Sequence, residues 1–223
     1  MYLITHSLLN AWQYAMNDNP YADATNEPDS PFEEFMQTLR REPSRPSEAM
    51  QNGIDFEDLV MAIGEGRETA VLHKPDRNTG ELEVYEYPTV GHPWFSAASK
   101  VWSMIAGGQY QFKATKPAEI AGARFLLYGR LDVLRAGEIM DIKFSKGYER
   151  GRFREFTQHP FYFELIPEAD VFRYIVTNGS EVWTEEYRRD ESPNIRYEIS
   201  DFYMWLNGTD LIETYDQFWR AKE

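Results

Sequence analysis

The sequence predicts a mixed α/β (α+β) fold in which helices flank a mixed central sheet. Helical and strand periodicities alternate along the chain in the order helix, strands, helix, strands, helix. Apolar residues make up 42% of the 223 residues, which is enough for a sizeable core, and aromatic residues make up 15%, which argues against disorder. No repeat or low-complexity tract interrupts this order, so we expect a single domain over 1–223.

The individual elements follow from periodicity, caps and turn residues. Apolar residues at helical spacing, with glycine near several ends, predict helices over 3–16, 31–41, 49–66, 93–107, 153–166 and 198–221. Alternating apolar residues bounded by turn residues predict a hairpin over 69–87, three strands over 109–115, 123–134 and 138–145, and a second hairpin over 170–188. The helix over 198–221 forms the C-terminal end of the domain.

An insertion at about 17–48 separates the first helix from the rest of the domain. It is rich in Asn, Asp and Pro, and we expect a loop that contains the short helix over 31–41. Ser30 and Pro31 suit the N-cap and the first position of that helix, and Ser7 lies in the first turn of the preceding helix or caps it. Two interpretations of the insertion stay open: a flap over a site, or a surface feature without consequence.

Charge is unevenly distributed along the chain. The net charge of −14 disfavours a non-specific polyanion binder. Residues 100–154, however, hold eleven lysine or arginine residues and five acidic ones. A polyanion would therefore have to approach a single basic face of an acidic protein, unless this unevenness is ordinary scatter.

The chain contains no cysteine, which excludes disulfides, cysteine-ligated zinc, iron–sulfur clusters and thiol nucleophiles together. An intracellular, cytoplasmic protein fits this composition best. No run of 18 apolar residues exists, and the first ten residues lack the pattern of a secretion signal, so we expect no membrane partner.

Asp132, Asp141 and Lys143 are the first candidates for chemistry. Asp141 and Lys143 stand two residues apart on a predicted strand, so both side chains point to one face. Asp132 lies on the preceding strand, and the tight hairpin between the strands can bring it beside Asp141. Carboxylates favour hard cations such as Mg²⁺ or Mn²⁺. The alternative is a surface ion pair, but the apolar neighbours of Asp141 favour a buried strand, where an unpartnered carboxylate is costly.

Three further residues extend this candidate site. Glu57, near the start of the helix predicted over 49–66, could supply a third carboxylate, with Asp55 and Asp58 as rivals. Gln158 and Tyr162 stand four residues apart on one face of a predicted helix.

In this order, these residues resemble the PD-(D/E)XK nuclease superfamily, in its RecB-like and phage lambda-type exonuclease branch. The resemblance covers roughly 1–16 and 50–176, whereas the insertion and the acidic stretch 155–223 show no counterpart over most of their length. Its motifs are Ser7-Leu8-Leu9, Gly53 with Glu57 four residues later, Gly129-Arg130-Leu131-Asp132, Asp141-Ile142-Lys143, and Gln158 with Tyr162. Relatives that carry an iron–sulfur cluster on four cysteines differ from this chain, which has none.

The resemblance implies a restriction-endonuclease-like core and metal-dependent hydrolysis of phosphodiester bonds. Glu57, Asp132, Asp141 and the carbonyl of Ile142 would hold one or two Mg²⁺ or Mn²⁺ ions. Lys143 would position the attacking water and stabilise the transition state.

Other residues of the motifs and the basic stretch would contact DNA. Gln158 and Tyr162 would orient their helix or touch the substrate, and Arg130 belongs to the motif around Asp132. Lys146, Arg150 and Arg152 follow the catalytic strand directly, where basic residues among glycines and rings suit a phosphate-tracking loop. A solvated loop is the alternative.

Three functions remain open at this point. The first is a DNA exonuclease acting in recombination, repair or phage DNA processing, with a single-strand annealing protein as partner and a ring-shaped homo-oligomer as its assembly. The second is a structure-specific or nicking endonuclease. The third is a catalytically silent binding protein on a nuclease scaffold. The histidines His6, His73, His92 and His159 lack metal-ligand spacing and are predicted to be structural.

Overall fold

The structure is a computed structural model that describes residues 1–17, 30–43, 47–75 and 82–221. Helices and strands alternate along it, as the periodicity predicts. The helices are α1 (His6–Asn17), α2 (Pro31–Leu39), α3 (Glu48–Gly64), α4 (Phe95–Ile105), α5 (Gln158–Leu165), α6 (Ile195–Gly208) and α7 (Leu211–Phe218). The strands are β1 (Tyr2–Ile4), β2 (Thr69–Pro75), β3 (Leu82–Pro88), β4 (Gln109–Ile120), β5 (Ala123–Arg135), β6 (Glu138–Phe144), β7 (Val171–Thr177) and β8 (Val182–Arg188).

The main sheet has six strands in mixed orientation, and β2 and β3 form a separate antiparallel hairpin. β5 is hydrogen-bonded to three strands: antiparallel to β4 along its whole length, parallel to β1 near its start, and antiparallel to β6 near its end. β6 and β7 run parallel, which requires a crossover, and α5 lies in that connection. The predicted class, a mixed sheet flanked by helices, is confirmed.

Helices cover both faces of the sheet and produce two hydrophobic clusters. The larger cluster contains side chains from α1, α2, α5, α6 and α7, and the smaller one contains side chains from α3 and α4. Ile139 belongs to the larger cluster and Met140 to the smaller, as alternation along a strand requires. Within the described ranges, no helix is both long and apolar enough to cross a lipid bilayer.

The β4–β5 ribbon changes face at one position. Leu131 belongs to the larger cluster, whereas Val133, two residues later on the same strand, belongs to the smaller one. The pairing between the two strands is continuous except at Gln111 and Asp132, which face each other in register. Gln111 has a φ of 50°, a left-handed conformation that is uncommon outside glycine. This local distortion interrupts the pairing beside Asp132, at the position where the ribbon changes face.

The N-terminal elements differ in part from the prediction. Residues 2–4 form β1 rather than the first turn of a helix, because they pair with β5. Thr5 caps α1, since its Oγ1 accepts a hydrogen bond from the backbone N–H of Leu8 at 3.2 Å, and Ser7 lies in the first turn. The prediction for α2 is confirmed: Ser30 Oγ accepts from the N–H of Glu33 at 3.2 Å, and Pro31 is the first helical residue.

Two helix boundaries were predicted wrongly. The helix expected over 153–166 begins only at Gln158, because residues 150–155 form turns, and Pro160 lies in its first turn, where a missing N–H costs little. The helix expected over 198–221 is two helices, α6 and α7, which are separated at residues 209–210. Residues 18–29 and 44–46 of the insertion, for which a flap was one interpretation, and the predicted turn at 76–80 lie outside the described residues.

The connection between β5 and β6 is the predicted tight hairpin. Ala136 and Gly137 have φ angles of 44° and 82°, as the two central residues of a type I′ turn require. The turn matches the twist of the flanking strands and sets Val133 opposite Met140. It thereby fixes how the acidic residues of the two strands meet.

Candidate active site

Asp132, Asp141 and Lys143 converge at the β5–β6 hairpin. Lys143 Nζ lies 2.8 Å from Asp141 Oδ2, and the backbone N–H of Ile142 donates to Asp132 Oδ2 at 2.9 Å. Asp141 is buried, and the side chain of Lys143 is 32% exposed. The ammonium group is therefore held by a buried carboxylate while part of the lysine side chain stays accessible to solvent.

Glu57 is the acidic residue of α3 that joins this cluster. Gln111 Nε2, at the distorted position of β4, donates to Glu57 Oε2 at 3.2 Å. The two rival residues are engaged elsewhere. Asp55 accepts hydrogen bonds from Gln51 and His73, and Asp58 accepts from the backbone N–H of Val71 and pairs with Arg67; these contacts direct both carboxylates toward the β2 side of the helix.

The charges of the cluster perturb one another. Burial and, after it, the charge of Asp141 raise the pKa of Glu57 to about 7, against the opposing effects of Arg130 and Lys143. Burial, followed by the charges of Asp141 and Glu57, raises the pKa of Asp132 well above its usual range. Burial lowers the pKa of Lys143, but the neighbouring carboxylates, Asp141 first, outweigh it and raise that pKa. The charges of three acids and one ammonium group thus influence one another.

α5 presents Gln158 and Tyr162 to the cluster. Gln158 Nε2 donates to Asp141 Oδ1 at 2.6 Å, and the hydroxyl of Tyr162 donates to the carbonyl of Arg130 at 2.9 Å. The ring of Tyr162 lies against Gly129, where an added Cβ would stand 2.4 Å from Tyr162 Cε1. Gln158 therefore orients the Asp141 carboxylate, and Tyr162 holds α5 against β5.

Two residues that the sequence did not assign to the site lie beside it. His6, predicted to be structural, lies beside Tyr162 with 5.2 Å between ring centroids, and burial together with the charge of Lys143 lowers its pKa to about 3. Its position directly before the Ser7-Leu8-Leu9 motif was the available signal. Gln111 offered no signal, because its role depends on a backbone angle that glutamine rarely adopts.

The basic residues fall into two groups. Arg130 is exposed and close enough to Glu57 to lower the pKa of that carboxyl. Lys146, Arg150 and Arg152 are exposed in the segment after β6, and Arg152 Nη1 donates to Ser145 Oγ at 2.9 Å. In the described part of the chain, none of these three forms an ion pair with a carboxylate of the cluster.

The donor set suits a hard divalent cation only in part. Glu57 Oε1 and Asp132 Oδ1 accept no hydrogen bond from the described residues, and carboxylate oxygens are what Mg²⁺ prefers. Asp141 Oδ1 accepts a hydrogen bond from Gln158, whereas the buried Oδ2 has no hydrogen-bond partner among the described residues and faces Lys143 Nζ at 2.8 Å. Among the described residues, no three acidic or histidine side chains stand close enough together to enclose a metal ion. A metal ligated by Asp141 would have to displace one of its present partners.

Comparisons with known proteins give little further information. No family model matches the chain, and no curated protein matches it. Among solved structures, the chain is similar to the crystal structure of SSO0001, with a TM-score of 0.40 and 12% sequence identity over 78% of this chain and 88% of that chain. A TM-score this low carries no argument about fold family or function.

Proposed function

We propose that the protein is a metal-dependent nuclease that hydrolyses phosphodiester bonds of DNA on a restriction-endonuclease-like core. We propose further that it acts as an exonuclease in recombination, repair or phage DNA processing, as a homo-oligomer beside a single-strand annealing protein. One observation carries the first proposal: the Lys143–Asp141 pair at 2.8 Å lies beside two further carboxylates, and burial and mutual repulsion raise the pKa values of both.

Each residue has a defined task in this proposal. Mg²⁺ or Mn²⁺, held by Glu57, Asp132, Asp141 and the carbonyl of Ile142, would polarise the phosphate and lower the pKa of a bound water. Lys143, whose raised pKa keeps it protonated, stabilises the negative charge that develops on the phosphoryl oxygens.

Substrate binding is assigned to the exposed basic residues. Arg130 borders the cluster, and Lys146, Arg150 and Arg152 are exposed beyond the end of β6. Cations in contact with phosphates release condensed counterions, and this release supplies sequence-independent affinity for DNA. The net charge of −14 repels DNA from the rest of the surface, which confines the approach to this side.

The experiment that tests this function is cleavage of duplex DNA in two forms. End-labelled linear DNA and closed circular DNA are incubated with Mg²⁺, with Mn²⁺ or with EDTA. Metal-dependent loss of the linear form alone supports the exonuclease, whereas cutting of circles as well supports a structure-specific or nicking endonuclease. Absence of cleavage of both forms, with either metal, contradicts the nuclease proposal for these substrates.

Lys143→Ala is the decisive variant, and Lys116→Ala is its matched control. Both lysines lie on strands, are 32% exposed and pair with a carboxylate, at 2.8 Å for Lys143 and 2.9 Å for Lys116. We expect Lys143→Ala to lower the rate about 100-fold or more, because a preorganised charge at the reacting phosphate is lost. We expect Lys116→Ala to cleave at the wild-type rate. Equal rates for the two variants would contradict the site.

A catalytically silent nuclease-fold binding protein is the second candidate. It is favoured by the ion pair that Lys143 forms with Asp141 and by the absence of a three-residue ligand group among the described residues. Calorimetric titration with Mg²⁺ and Mn²⁺ separates the candidates. Metal binding that is lost in Asp132→Asn supports the enzyme, whereas no heat of binding together with no cleavage supports the silent protein.

A further inference from the structure

A cavity of about 280 Å³ lies between α3, the β2–β3 hairpin and the segment that precedes α4. It combines apolar and aromatic walls with a few polar groups, which is the usual composition of a ligand site. The residues that argue for a ligand are Asn52, His73, Lys74, Tyr87, His92 and Trp94.

A buried carboxylate fixes one imidazole of this cavity. Asp55 is 3% exposed and accepts hydrogen bonds from Gln51 Nε2 at 2.9 Å, from the backbone N–H of His73 at 2.8 Å and from His73 Nδ1 at 2.8 Å. Because a carboxylate accepts, Nδ1 of His73 carries a proton, and Nε2 points away from Asp55 as the ring's second hydrogen-bonding atom. No described residue forms a hydrogen bond with that Nε2, so it is left for a ligand.

The opposite wall supplies donors and rings. His92 Nδ1 accepts from the backbone N–H of Trp94 at 3.0 Å, so the proton of its neutral ring lies on Nε2. Lys74 contributes an ammonium group that is close enough to affect the charge state of His92, and Asn52 contributes an amide. The ring of His92 meets those of Tyr87 and Trp94 at centroid distances of 5.0 and 5.1 Å. Donors beside aromatic walls suit a ligand that is both anionic and planar.

The cavity adjoins the candidate active site without sharing its acidic residues. The Trp94 ring lies 4.7 Å from that of Phe144, which directly follows Lys143. α3 carries Asp55, which serves the cavity, and Glu57, which serves the acidic cluster, two residues apart.

We propose that this cavity binds a single nucleotide. The rings of Tyr87 and Trp94 contact the base, while Lys74, His92 and Asn52 donate to the phosphate. His73 Nε2 forms a hydrogen bond with the edge of the base. A volume near 280 Å³ is at the small end of ligand sites, which favours one nucleotide over several as the bound unit. The choice of ligand rests on the proposed nuclease function, and the nucleotide comes either from released product or from the end of a DNA strand.

Equilibrium binding in EDTA tests the proposal, because no metal-dependent cleavage can then occur. The probes are deoxyadenosine 5′-monophosphate, a single-stranded oligodeoxyadenylate and inorganic phosphate, followed by calorimetry and by quenching of tryptophan fluorescence. Lys74→Ala and His73→Gln alter the cavity, and Lys100→Ala, an exposed lysine of α4, is the control. We expect Lys74→Ala to weaken nucleotide binding about tenfold or more, since a charged hydrogen-bond donor is lost. Thermal unfolding verifies that each variant is folded.

Each outcome decides the proposal. Mononucleotide binding that both cavity variants weaken and Lys100→Ala leaves unchanged supports released product as the source. Binding of the oligonucleotide alone, with the same response to the variants, supports a strand end. The proposal is overturned if phosphate binds as tightly as the nucleotide, if no probe binds, or if neither cavity variant changes the affinity. The result is independent of DNA cleavage, so nuclease activity and nucleotide binding can fail separately.

Discussion

Gly129 lies on β5 and Tyr162 lies on α5, and the packing between them explains why glycine occupies position 129 and a tyrosine position 162. The Tyr162 ring occupies the space that a side chain at position 129 would need, and its hydroxyl donates to the carbonyl of Arg130 at 2.9 Å. Leu165 closes the same space, with Cδ2 only 2.8 Å from the position of an added Cβ. The glycine before Arg130 is therefore required by packing between β5 and α5, whatever the function of the site.

Gly129→Ala should destabilise the protein by about 1–3 kcal/mol, because an extra methyl group forces a packed core apart. Urea unfolding measures the effect. Gly147→Ala is the matched control, since an added Cβ at Gly147 meets no atom within 4 Å. A Gly129→Ala variant as stable as Gly147→Ala would mean that α5 is not packed against β5 as described.

Gln111 shows what the sequence could not predict about the site. The convergence of Asp132, Asp141 and Lys143 follows from strand periodicity and a tight hairpin, both of which can be read from residue types. The interruption of the pairing beside Asp132 occurs at Gln111, whose φ of 50° costs about 1–2 kcal/mol for a residue with a side chain. Local propensity disfavours that conformation, so only the tertiary structure reveals it.

At the scale of elements, prediction succeeded where caps and turns mark an end and failed where apolar spacing continued past it. α2 was predicted from Ser30 and Pro31, and the β5–β6 hairpin from a short connection that contains Gly137. The apolar residues of 153–157 extend the helical spacing of α5, but they pack as turns and not as helix. Long-range pairing also overrode helical spacing at residues 2–4, which join β5.

The C-terminal end of α5 depends on a single arginine. The Arg189 guanidinium donates to the carbonyls of Phe163 and Ile166, each at 2.7 Å, and to that of Ala169 at 2.6 and 2.9 Å. Carbonyls at a helix end have no partner within the helix, so this fork satisfies several of them at once.

Arg189→Lys should therefore destabilise the protein by about 1.5–3 kcal/mol, because an ammonium group cannot replace the planar fork and leaves carbonyls without a donor. Denaturant midpoints measure the loss. Arg188→Lys makes the same substitution at the exposed neighbouring position and should leave the free energy of unfolding unchanged. Matching losses in the two variants would show that the bonds to α5 contribute little.

At the scale of the whole molecule, the site lies at the boundary between the two hydrophobic clusters. β5 passes from the larger cluster at Leu131 to the smaller one at Val133, and Asp132 stands between them. A carboxylate at such a boundary loses water on both sides, which is why burial is the largest cause of its raised pKa. Burial at this boundary therefore strengthens the repulsion that Asp132 experiences from Asp141 and Glu57.

Glu57 and His159 give the stability of the molecule opposite dependences on pH. Glu57 has a pKa of about 7 in the folded protein, above its ordinary 4.5. The stability that its protonated form contributes to the fold is therefore fully present below pH 4.5 and is lost as the pH rises through 7. His159 is 1% exposed, with Nδ1 3.2 Å from the hydroxyl of Tyr174. Burial lowers the pKa of His159 to about 4. The stability that its neutral form contributes to the fold is therefore fully present above pH 6.5 and is lost as the pH falls through 4.

Glu57→Gln and His159→Gln should therefore change the pH dependence of stability in opposite directions between pH 4.5 and 6.5. In that range, folding takes up a proton at Glu57 and releases one at His159, and each group contributes a slope of up to about 1.4 kcal/mol per pH unit. Urea unfolding in EDTA at several pH values should give a free energy that rises more steeply with pH in Glu57→Gln and less steeply in His159→Gln. If both variants shifted the slope in the same direction, one of these groups would not be buried as described. The comparison needs no DNA, so it tests the burial of Glu57 in the acidic cluster independently of any nuclease activity.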